Sequence, residues 1–308
     1  MTTTPADQAA TAAISTDRLI KRFGTLTAVS EFSLTVHPGE IVGFLGPNGA
    51  GKTTTIRLLL GFLRPTAGRC TVLGVAPASH TAIRGRIGYL PGDFRMDPKM
   101  TGAELFAWFG QLRGGLRRAR VDELVQRLAL DPSRPFGALS KGNRQKVGLV
   151  QAFQHDPEVL LLDEPTSGLD PLVQRQFLEL AREAAERGAA VLFSSHVLPE
   201  VERVAARVAI IRAGRLVTVS SVEELLDRAR HRLEFRFADP PPAGLFDGIL
   251  GVVEAEVDGR SATVAVDGPV VPALRAAIDG PGLLRVGSAG DDLEDLFVGL
   301  YQRQEVAR

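Results

Sequence analysis

The spacing of hydrophobic residues changes along the chain, and each change predicts a different kind of structure. In residues 14–90, short apolar runs alternate with turns rich in Gly and Pro, as expected of β-strands. Across residues 101–155 the apolar positions recur three and four apart, which predicts helices. Residues 158–219 return to alternating strands and helices, an order that favours a mostly parallel sheet covered by helices. We therefore predict an α/β domain over residues 14–220, with a helical subdomain at about 93–156.

Residues 221–308 predict a smaller α+β domain. The pattern indicates helices at 222–230 and 271–278 and strands at 233–237, 252–257, 262–266 and 284–287. Near its end, an apolar stripe with helical spacing consists of Leu293, Leu296, Phe297, Leu300 and Tyr301. We interpret this stripe as part of the domain's own core, with a dimer contact as the alternative.

A glycine-rich stretch lies between the apolar run 41–45 and the helical stretch 54–60. It reads Gly46-Pro47-Asn48-Gly49-Ala50-Gly51-Lys52-Thr53 and matches G-x-x-x-x-G-K-[ST]. Glycines let the backbone turn its N–H groups inward at a helix N-terminus, where the dipole favours phosphate. We expect Lys52 to reach the β- and γ-phosphates of a nucleotide and the Thr53 hydroxyl to take a Mg²⁺ position. The predicted nucleotide-binding residues here are Gly46, Asn48, Gly49, Gly51, Lys52, Thr53 and Thr54.

Two carboxylates follow a second apolar run. Residues 159–162 have the pattern of a buried parallel strand, and Asp163 and Glu164 come directly after them. Beside a phosphate loop, Asp163 can hold the Mg²⁺ shell while Glu164 orients or deprotonates the attacking water. These residues predict a site for nucleotide hydrolysis, with Lys52 as a further catalytic group.

Three more motifs resemble those of ATP-binding-cassette (ABC) ATPases. Residues 139–145 resemble the signature motif, with Lys141 and Asn143 where Gly and Gln are commoner. Residues 167–170 look like the D-loop, and Ser194-Ser195-His196 looks like the switch histidine after the next strand. All the motifs fall in the family's order and together cover residues 15–220.

The resemblance implies a P-loop NTPase fold with a RecA-like parallel sheet core, an antiparallel β subdomain and a helical subdomain. It implies a homodimer of ATPase domains that face head to tail, with ATP and Mg²⁺ bound between them. In that arrangement Ser140 and Gly142 of one domain contact the γ-phosphate held by the other, and Asp170 lies beside the shared nucleotide. His196 is the implied γ-phosphate sensor and Phe23 the residue that stacks on adenine.

Two positions depart from the family's pattern. After the strand 87–91 the family usually places a Gln that senses Mg²⁺ and water, and this chain has Gly92. The neighbouring Asp93 is a candidate substitute, because a carboxylate can bind Mg²⁺ through water. The adenine-stacking aromatic is often Tyr, and Phe23 keeps the π-face without the hydroxyl.

Composition narrows the class of protein. The 308 residues carry 36 basic and 36 acidic side chains, so the chain lacks the excess of positive charge that is typical of nucleic-acid-binding proteins. No stretch approaches the ~20 consecutive apolar residues that a bilayer span needs. The single cysteine, Cys70, excludes a disulfide within the chain and fits a reducing cytoplasm. Residues 1–13 lack the basic start and apolar core of a signal peptide and are predicted to be a disordered tail.

Two local features have alternative interpretations. Residues 113–120 contain four arginines, which we interpret as a solvated turn between helices or as a patch facing headgroups or a partner. Trp108 is interpreted as a core aromatic or as part of a groove for a membrane partner's coupling helix.

We therefore expect the ATP-hydrolysing subunit of an ABC exporter, held on the cytoplasmic face of the membrane by an integral permease. The C-terminal domain resembles that of bacterial drug, antibiotic or polysaccharide exporters. One alternative is a soluble ABC-type ATPase acting on DNA or the ribosome. Against it, Ser140 lies only 88 positions after Lys52, too few for the long coiled coils of repair members, and translation factors carry two cassettes. A third alternative, ATP binding without hydrolysis, is favoured by Gly92 and opposed by Glu164 and His196.

Overall fold

The computed structural model describes residues 12–224 and 232–288. Two compact units make up the chain, Met1–Ser220 and Ser221–Arg308. The first part of the predicted tail, most of the helix predicted at 222–230 and the apolar stripe at 293–301 lie outside the described residues. Ala12 and Ala13, the end of that tail, are buried, and the Ala13 carbonyl accepts a 2.7 Å hydrogen bond from the Leu73 N–H. These two residues therefore belong to the folded unit.

The first unit begins with a three-stranded antiparallel sheet. Its strands are β1 (Ile14–Phe23), β2 (Leu26–Val36) and β4 (Ala67–Val72), in the order β2-β1-β4. Buried and exposed positions alternate along β2, so one face packs on the core and the other faces solvent. This sheet confirms the predicted antiparallel subdomain.

A six-stranded sheet forms the centre of the first unit. Its strands are β3 (Ile41–Leu45), β5 (Ile87–Leu90), β6 (Val159–Asp163), β7 (Ala190–Ser195), β8 (Arg207–Arg212) and β9 (Arg215–Ser221), in the order β5-β6-β7-β3-β8-β9. The pairings from β5 across to β8 are parallel. Every residue of β3, β6 and β7 is buried, as expected of parallel strands in a sheet that other elements cover on both faces. The predicted parallel core is confirmed.

Helices follow the central strands. They are α1 (Lys52–Leu59), α5 (Pro171–Glu186) and the short α6 (Leu198–Glu202). Asp170 caps α5 by accepting hydrogen bonds from two backbone N–H groups of its first turn, and Pro171 occupies the first helical position. The buried side of α5 includes Phe177, whose ring lies 6.1 Å from that of Phe193 on β7. This packing holds α5 against β7.

The helical subdomain consists of α2 (Gly102–Leu112), α3 (Arg118–Arg127) and α4 (Lys141–Phe153). Phe106 and Gly110 lie on the buried side of α2. Trp108 stands two residues from each of them, which places it on the opposite side of the helix, and its side chain is 47% exposed. The prediction that Trp108 is a core aromatic is therefore wrong.

The arginine-rich segment is also less solvated than the sequence predicted. Arg120 is only 12% exposed and its Nε lies 3.2 Å from Asp156 Oδ1. Arg117 pairs with the same carboxylate, and Arg113 is half-buried. The interpretation as a solvated turn is therefore wrong for Arg113 and Arg120, whereas Arg117 remains 59% exposed although it pairs with Asp156.

The second unit contains a four-stranded antiparallel sheet in the order β11-β12-β10-β13. The strands are β10 (Arg232–Phe237), β11 (Val252–Asp258), β12 (Ser261–Val266) and β13 (Leu283–Ser288), and α7 (Val271–Ile278) follows β12. Its core includes Phe235 stacked 5.3 Å from Phe246. All four strands predicted in this unit are present. Across residues 12–224 and 232–288, no helix has the length and apolarity needed to cross a bilayer.

Candidate nucleotide site

The candidate site is built around the loop 46–51, which connects β3 to α1. Two glycines of this loop have no room for a side chain. A Cβ at Gly46 would lie 2.5 Å from the Ile211 carbonyl oxygen. Gly51 has a φ of +111°, and its Cβ would lie 2.6 Å from the Ala28 carbonyl oxygen. The close approach of neighbouring backbone therefore explains why these two positions are glycine.

A cleft of about 730 Å³ opens over this loop. Among its lining residues are Phe23, Asn48, Gly49, Gly51, Lys52, Thr53, Thr54, Asp163 and Glu164. Arg57 and Tyr89 also line it, although the sequence pattern did not single them out. Burial, and then the negative charge of Asp163, raises the pKa of the Tyr89 phenol. Tyr89 lies one strand away from the carboxylates, so only the pairing of β5 with β6 shows its relation to the site.

Lys52 crosses the loop that precedes it. Its ammonium group donates to the Gly46 carbonyl at 2.5 Å and to the Pro47 carbonyl at 3.3 Å, and the side chain is only 6% exposed. The Nζ atom also lies 3.4 Å from Glu164 Oε1. The cation is therefore held between the loop and the predicted catalytic carboxylate.

Thr53 and Asp163 meet in the cleft. The Thr53 hydroxyl donates to Asp163 Oδ2 at 2.6 Å, and the Ser194 hydroxyl donates to Asp163 Oδ1 at 2.6 Å. Asp163 is 3% exposed, so these two hydroxyls satisfy oxygens that are shielded from water. A hydroxyl and a carboxylate in contact are oxygen ligands of the kind that a hard divalent cation takes. Within the described ranges, no group of three or more His, Cys, Asp or Glu residues is placed to hold a metal.

Glu164 and His196 are in direct contact. His196 Nδ1 lies 2.7 Å from Glu164 Oε2, at hydrogen-bond distance. The other carboxylate oxygen, Oε1, is buried and makes no hydrogen bond to the part of the chain that the structure describes. Glu164 has a φ of +49°, which is strained for a side chain other than glycine, and its N–H donates to the Ser194 hydroxyl at 2.9 Å. Ser194 thus contacts both Asp163 and Glu164, a role that the sequence pattern did not reveal.

Phe23 lies at the outer edge of the cleft. Its ring is 47% exposed, and Lys21 Nζ lies 5.0 Å from the ring centroid. An exposed ring with a cation nearby can stack on a planar base.

Gly92 and Asp93 border the same cleft. A Cβ at Gly92 would lie 3.6 Å from Asp163 Oδ2, an ordinary contact distance, so the position has room for a side chain. The Asp93 carboxylate accepts a 2.7 Å hydrogen bond from Arg95 Nε, and this bond lowers the Asp93 pKa. Asp93 is therefore ionised, close to the site and already paired with an arginine.

Five predicted site residues do not line the cleft. Two of them, Gly46 and His196, contact the cleft residues Lys52 and Glu164, and the other three lie farther away. Ser140 is exposed and caps α4, where its hydroxyl accepts a 3.3 Å hydrogen bond from the Asn143 N–H. Gly142 packs against Gly168, and Asp170 caps α5. One copy of the chain therefore gathers Lys52, Thr53, Thr54, Asp163, Glu164 and His196, and it leaves Ser140, Gly142 and Asp170 outside.

Comparison with known proteins identifies the family. A family model for ABC transporters matches residues 29–167. Over 291 residues the chain is 34% identical to the Nod factor export ATP-binding protein I of Burkholderia lata, a match that spans 92% of this chain and 95% of that protein. The chain belongs to the ABC transporter ATP-binding proteins.

Other matches agree with this family. This ABC ATPase is 41% identical over 201 residues to an uncharacterized ABC transporter ATP-binding protein of Nostoc sp., a stretch that spans 63% of this chain and 60% of that protein. A solved ATP-binding subunit of an ABC transporter matches with a TM-score of 0.65 at 28% identity, over 70% of this chain and 92% of that one. A dimeric bacterial ABC transporter cassette matches in fold, with a TM-score of 0.63 at 23% identity over 68% of this chain and 98% of that one. The predicted fold class, ATP binding and ATPase activity are thereby confirmed.

Proposed function

We propose that this ABC ATPase powers a membrane exporter and works as a homodimer beneath a permease encoded separately. The observation that carries the proposal is that Lys52, the Thr53–Asp163 pair and the Glu164–His196 pair converge at the phosphate loop. Export is supported by the similarity to a Nod factor export protein over 92% of this chain. The permease would hold the ATPase on the cytoplasmic face of the membrane.

The contacts support separate roles for the cleft residues in hydrolysis. Loop N–H groups and Lys52 bind the β- and γ-phosphates, and Phe23 stacks on the adenine. A water oxygen then bonds to the γ-phosphorus while the bond from that phosphorus to the bridging oxygen breaks. The water's proton passes to Glu164, whose Oε1 is free of hydrogen bonds within the described chain, and His196 orients the carboxylate through Oε2.

The same cleft fits Mg²⁺. Thr53 and Asp163 would hold the ion, because their side-chain oxygens already meet at 2.6 Å. One carboxylate with the phosphates and water is the ligand set that Mg²⁺ commonly takes in such sites, so a richer acidic cluster is not needed. When bound, the ion neutralises negative charge on the phosphates.

Head-to-tail dimerisation is supported by the residues that one chain leaves unused. Ser140 is exposed at the N-terminus of α4, where the helix dipole attracts an anion, and a phosphate loop from a second copy can approach it. A two-fold pair would bring Ser140, Gly142 and Asp170 of each copy to the nucleotide of the other. A dimeric cassette shares this fold.

A groove of about 340 Å³ is the surface that we infer to receive the permease. It runs between α2 and β5, and the apolar side chains Leu60, Phe62, Ile87, Tyr89, Phe94 and Phe109 line it. Trp108 and Leu112 are exposed on the same helix as Phe109, at 47% and 65%. We expect Trp108→Ser to reduce the fraction of protein that sediments with native membranes, while Leu250→Ser, a change at an exposed leucine of the second unit, leaves that fraction unchanged.

The division into two compact units supports separate roles for the two parts of the chain. We infer that residues 14–220 form the ATPase domain and that residues 221–308 form an accessory α+β domain, because the first unit ends at Ser220. We expect a fragment that contains residues 14–220, expressed alone, to bind ATP with the affinity of the full-length protein.

Turnover of purified protein tests the site assignment. Glu164→Gln should reduce ATP hydrolysis by at least about a hundredfold, the range expected of a lost general base. Glu186→Gln, which changes an exposed glutamate at the end of α5, is the matched control and should keep parental turnover. Retained hydrolysis in Glu164→Gln would contradict the proposed mechanism.

A further inference from the structure

The start of α4 is joined to the segment after Glu164 by Lys141. Lys141 Nζ donates to the Ser167 hydroxyl at 2.9 Å. The methylene groups of the same side chain lie over Gly168, with Cδ 3.2 Å from the position of a Cβ there. A Cβ on the next residue, Gly142, would lie 2.6 Å from the Gly168 carbonyl oxygen. The turn that starts α4 and the turn at Gly168 are therefore in tight contact.

A second side chain from the first turns of α4 holds the other end of this segment. Gln145 is 3% exposed, and its Nε2 donates to the carbonyls of Glu164 and Pro165, both at 3.1 Å. The Ser167 N–H closes the segment into a turn by donating to the Glu164 carbonyl at 3.1 Å. Gln145 thus fixes the buried inner end of the turn, and Lys141 contacts its exposed outer end.

The turn 164–168 carries the proposed catalytic base in a strained backbone conformation. Glu164 has a φ of +49°, and such a residue keeps its conformation only when its surroundings enforce it. The orientation of its carboxylate relative to a bound phosphate depends on that backbone. Contacts on the outer end of the turn therefore bear on catalysis without touching the nucleotide, and Lys141 is not among the residues that line the cleft.

We propose that Lys141 is a positioning residue that fixes the turn 164–168 through Ser167. It thereby couples the start of α4, where the second copy's nucleotide would bind, to the base in its own chain. The proposal rests on the proposed function, because it takes Glu164 as the base and α4 as the partner's contact.

Steady-state ATP hydrolysis by the full-length protein tests this role. Lys141→Met keeps most of the methylene chain and removes the donor, and Ser167→Ala removes the acceptor. We expect each to lower kcat about threefold to tenfold with KM for ATP within twofold of the parent. Lys141→Arg keeps a charged donor and should retain kcat within twofold. Lys99→Met, at an exposed lysine of another loop, is the matched control and should leave both constants unchanged.

A double-mutant cycle separates the hydrogen bond from other effects of the lysine. If Lys141 acts through Ser167, the kcat of the double variant is no lower than that of the less active single variant. The proposal would be overturned if the fold reduction in kcat of the double variant equals the product of the two single reductions. It would also be overturned if Lys141→Met keeps a kcat within 1.5-fold of the parent. A changed KM with unchanged kcat would also overturn it, because the lysine would then act on nucleotide binding.

The Glu164→Gln variant distinguishes failure of this inference from failure of the proposed function. Loss of turnover in Glu164→Gln together with normal kcat in Lys141→Met refutes only the positioning role. Retained turnover in Glu164→Gln refutes the assignment of the base, on which the positioning role depends.

Discussion

Ser194 offers a sharp test of how the site is organised. It is fully buried, its hydroxyl donates to Asp163 Oδ1 at 2.6 Å, and it accepts from the Glu164 N–H at 2.9 Å. Ser194→Ala removes both bonds and leaves a buried carboxylate oxygen and a backbone N–H without these partners. A hydrogen bond to a charged group contributes about 1.5–3 kcal/mol and a neutral one about 0.5–1.5 kcal/mol. We expect a loss of about 2–4 kcal/mol in the free energy of unfolding.

The neighbouring serine provides the control for this change. Ser195 is 1% exposed, donates to Glu200 Oε2 at 3.1 Å and accepts from the Val197 N–H at 2.9 Å. Ser195→Ala therefore removes a similar pair of bonds that do not reach the two carboxylates of the cleft.

Urea unfolding and ATP turnover, measured on both variants, separate stability from catalysis. Both serine variants should lose stability, but only Ser194→Ala should lose turnover by about tenfold or more, equivalent to ~1.4 kcal/mol of activation free energy. The reasoning is refuted if Ser194→Ala keeps turnover within twofold of the parent. It is also refuted if Ser195→Ala loses as much turnover as Ser194→Ala.

Three further changes have expected outcomes. Gly51→Ala should abolish ATP binding, measured by calorimetry, because the added Cβ would lie 2.6 Å from a carbonyl oxygen. A Cβ at Gly49 would have nothing within 4 Å, so Gly49→Ala should bind ATP more weakly but detectably. Burial, and then the charge of Arg113, lowers the pKa of His155 to about 4 from 6.5, so the unfolded chain takes up this proton first as pH falls. Stability should therefore be full above about pH 6.5 and fall by up to about 3 kcal/mol toward pH 4, and His155→Asn should flatten this part of the denaturation profile. Asp93→Ala should lower turnover about tenfold with little change in ATP affinity. A kcat within twofold of the parent would show that Asp93 does not replace the glutamine that the family usually has at position 92.

The elements of the site that are local in sequence could be predicted from sequence. The loop 46–53 can be recognised in the sequence because phosphate binding at a helix N-terminus requires glycines, a lysine and a threonine at fixed spacing. The runs at 41–45 and 159–162 are apolar throughout, which is what burial on both sides of a parallel sheet requires.

Contacts between distant segments could not be predicted in the same way. Ser194 joins Asp163 to Glu164 only because β6 and β7 pair in one register, with Asp163 opposite Ser194. Helical spacing at 102–112 predicts a helix but does not show which side of the helix is covered, so it does not reveal that Trp108 is exposed. The composition of the segment 113–120 does not show that Arg120 is buried, because its partner Asp156 comes after α4 in the sequence.

The shared ATP site is tested most directly by the association state of Glu164→Gln. This variant should keep Lys52, Thr53 and the signature residues, so it should bind ATP without hydrolysing it. Size-exclusion chromatography with light scattering at saturating ATP and Mg²⁺ should show a dimer, and the same protein without nucleotide should be monomeric. Adding Lys52→Ala to this variant should abolish the dimer. A monomer of Glu164→Gln at saturating ATP, with binding confirmed in the same sample, would contradict the head-to-tail mechanism.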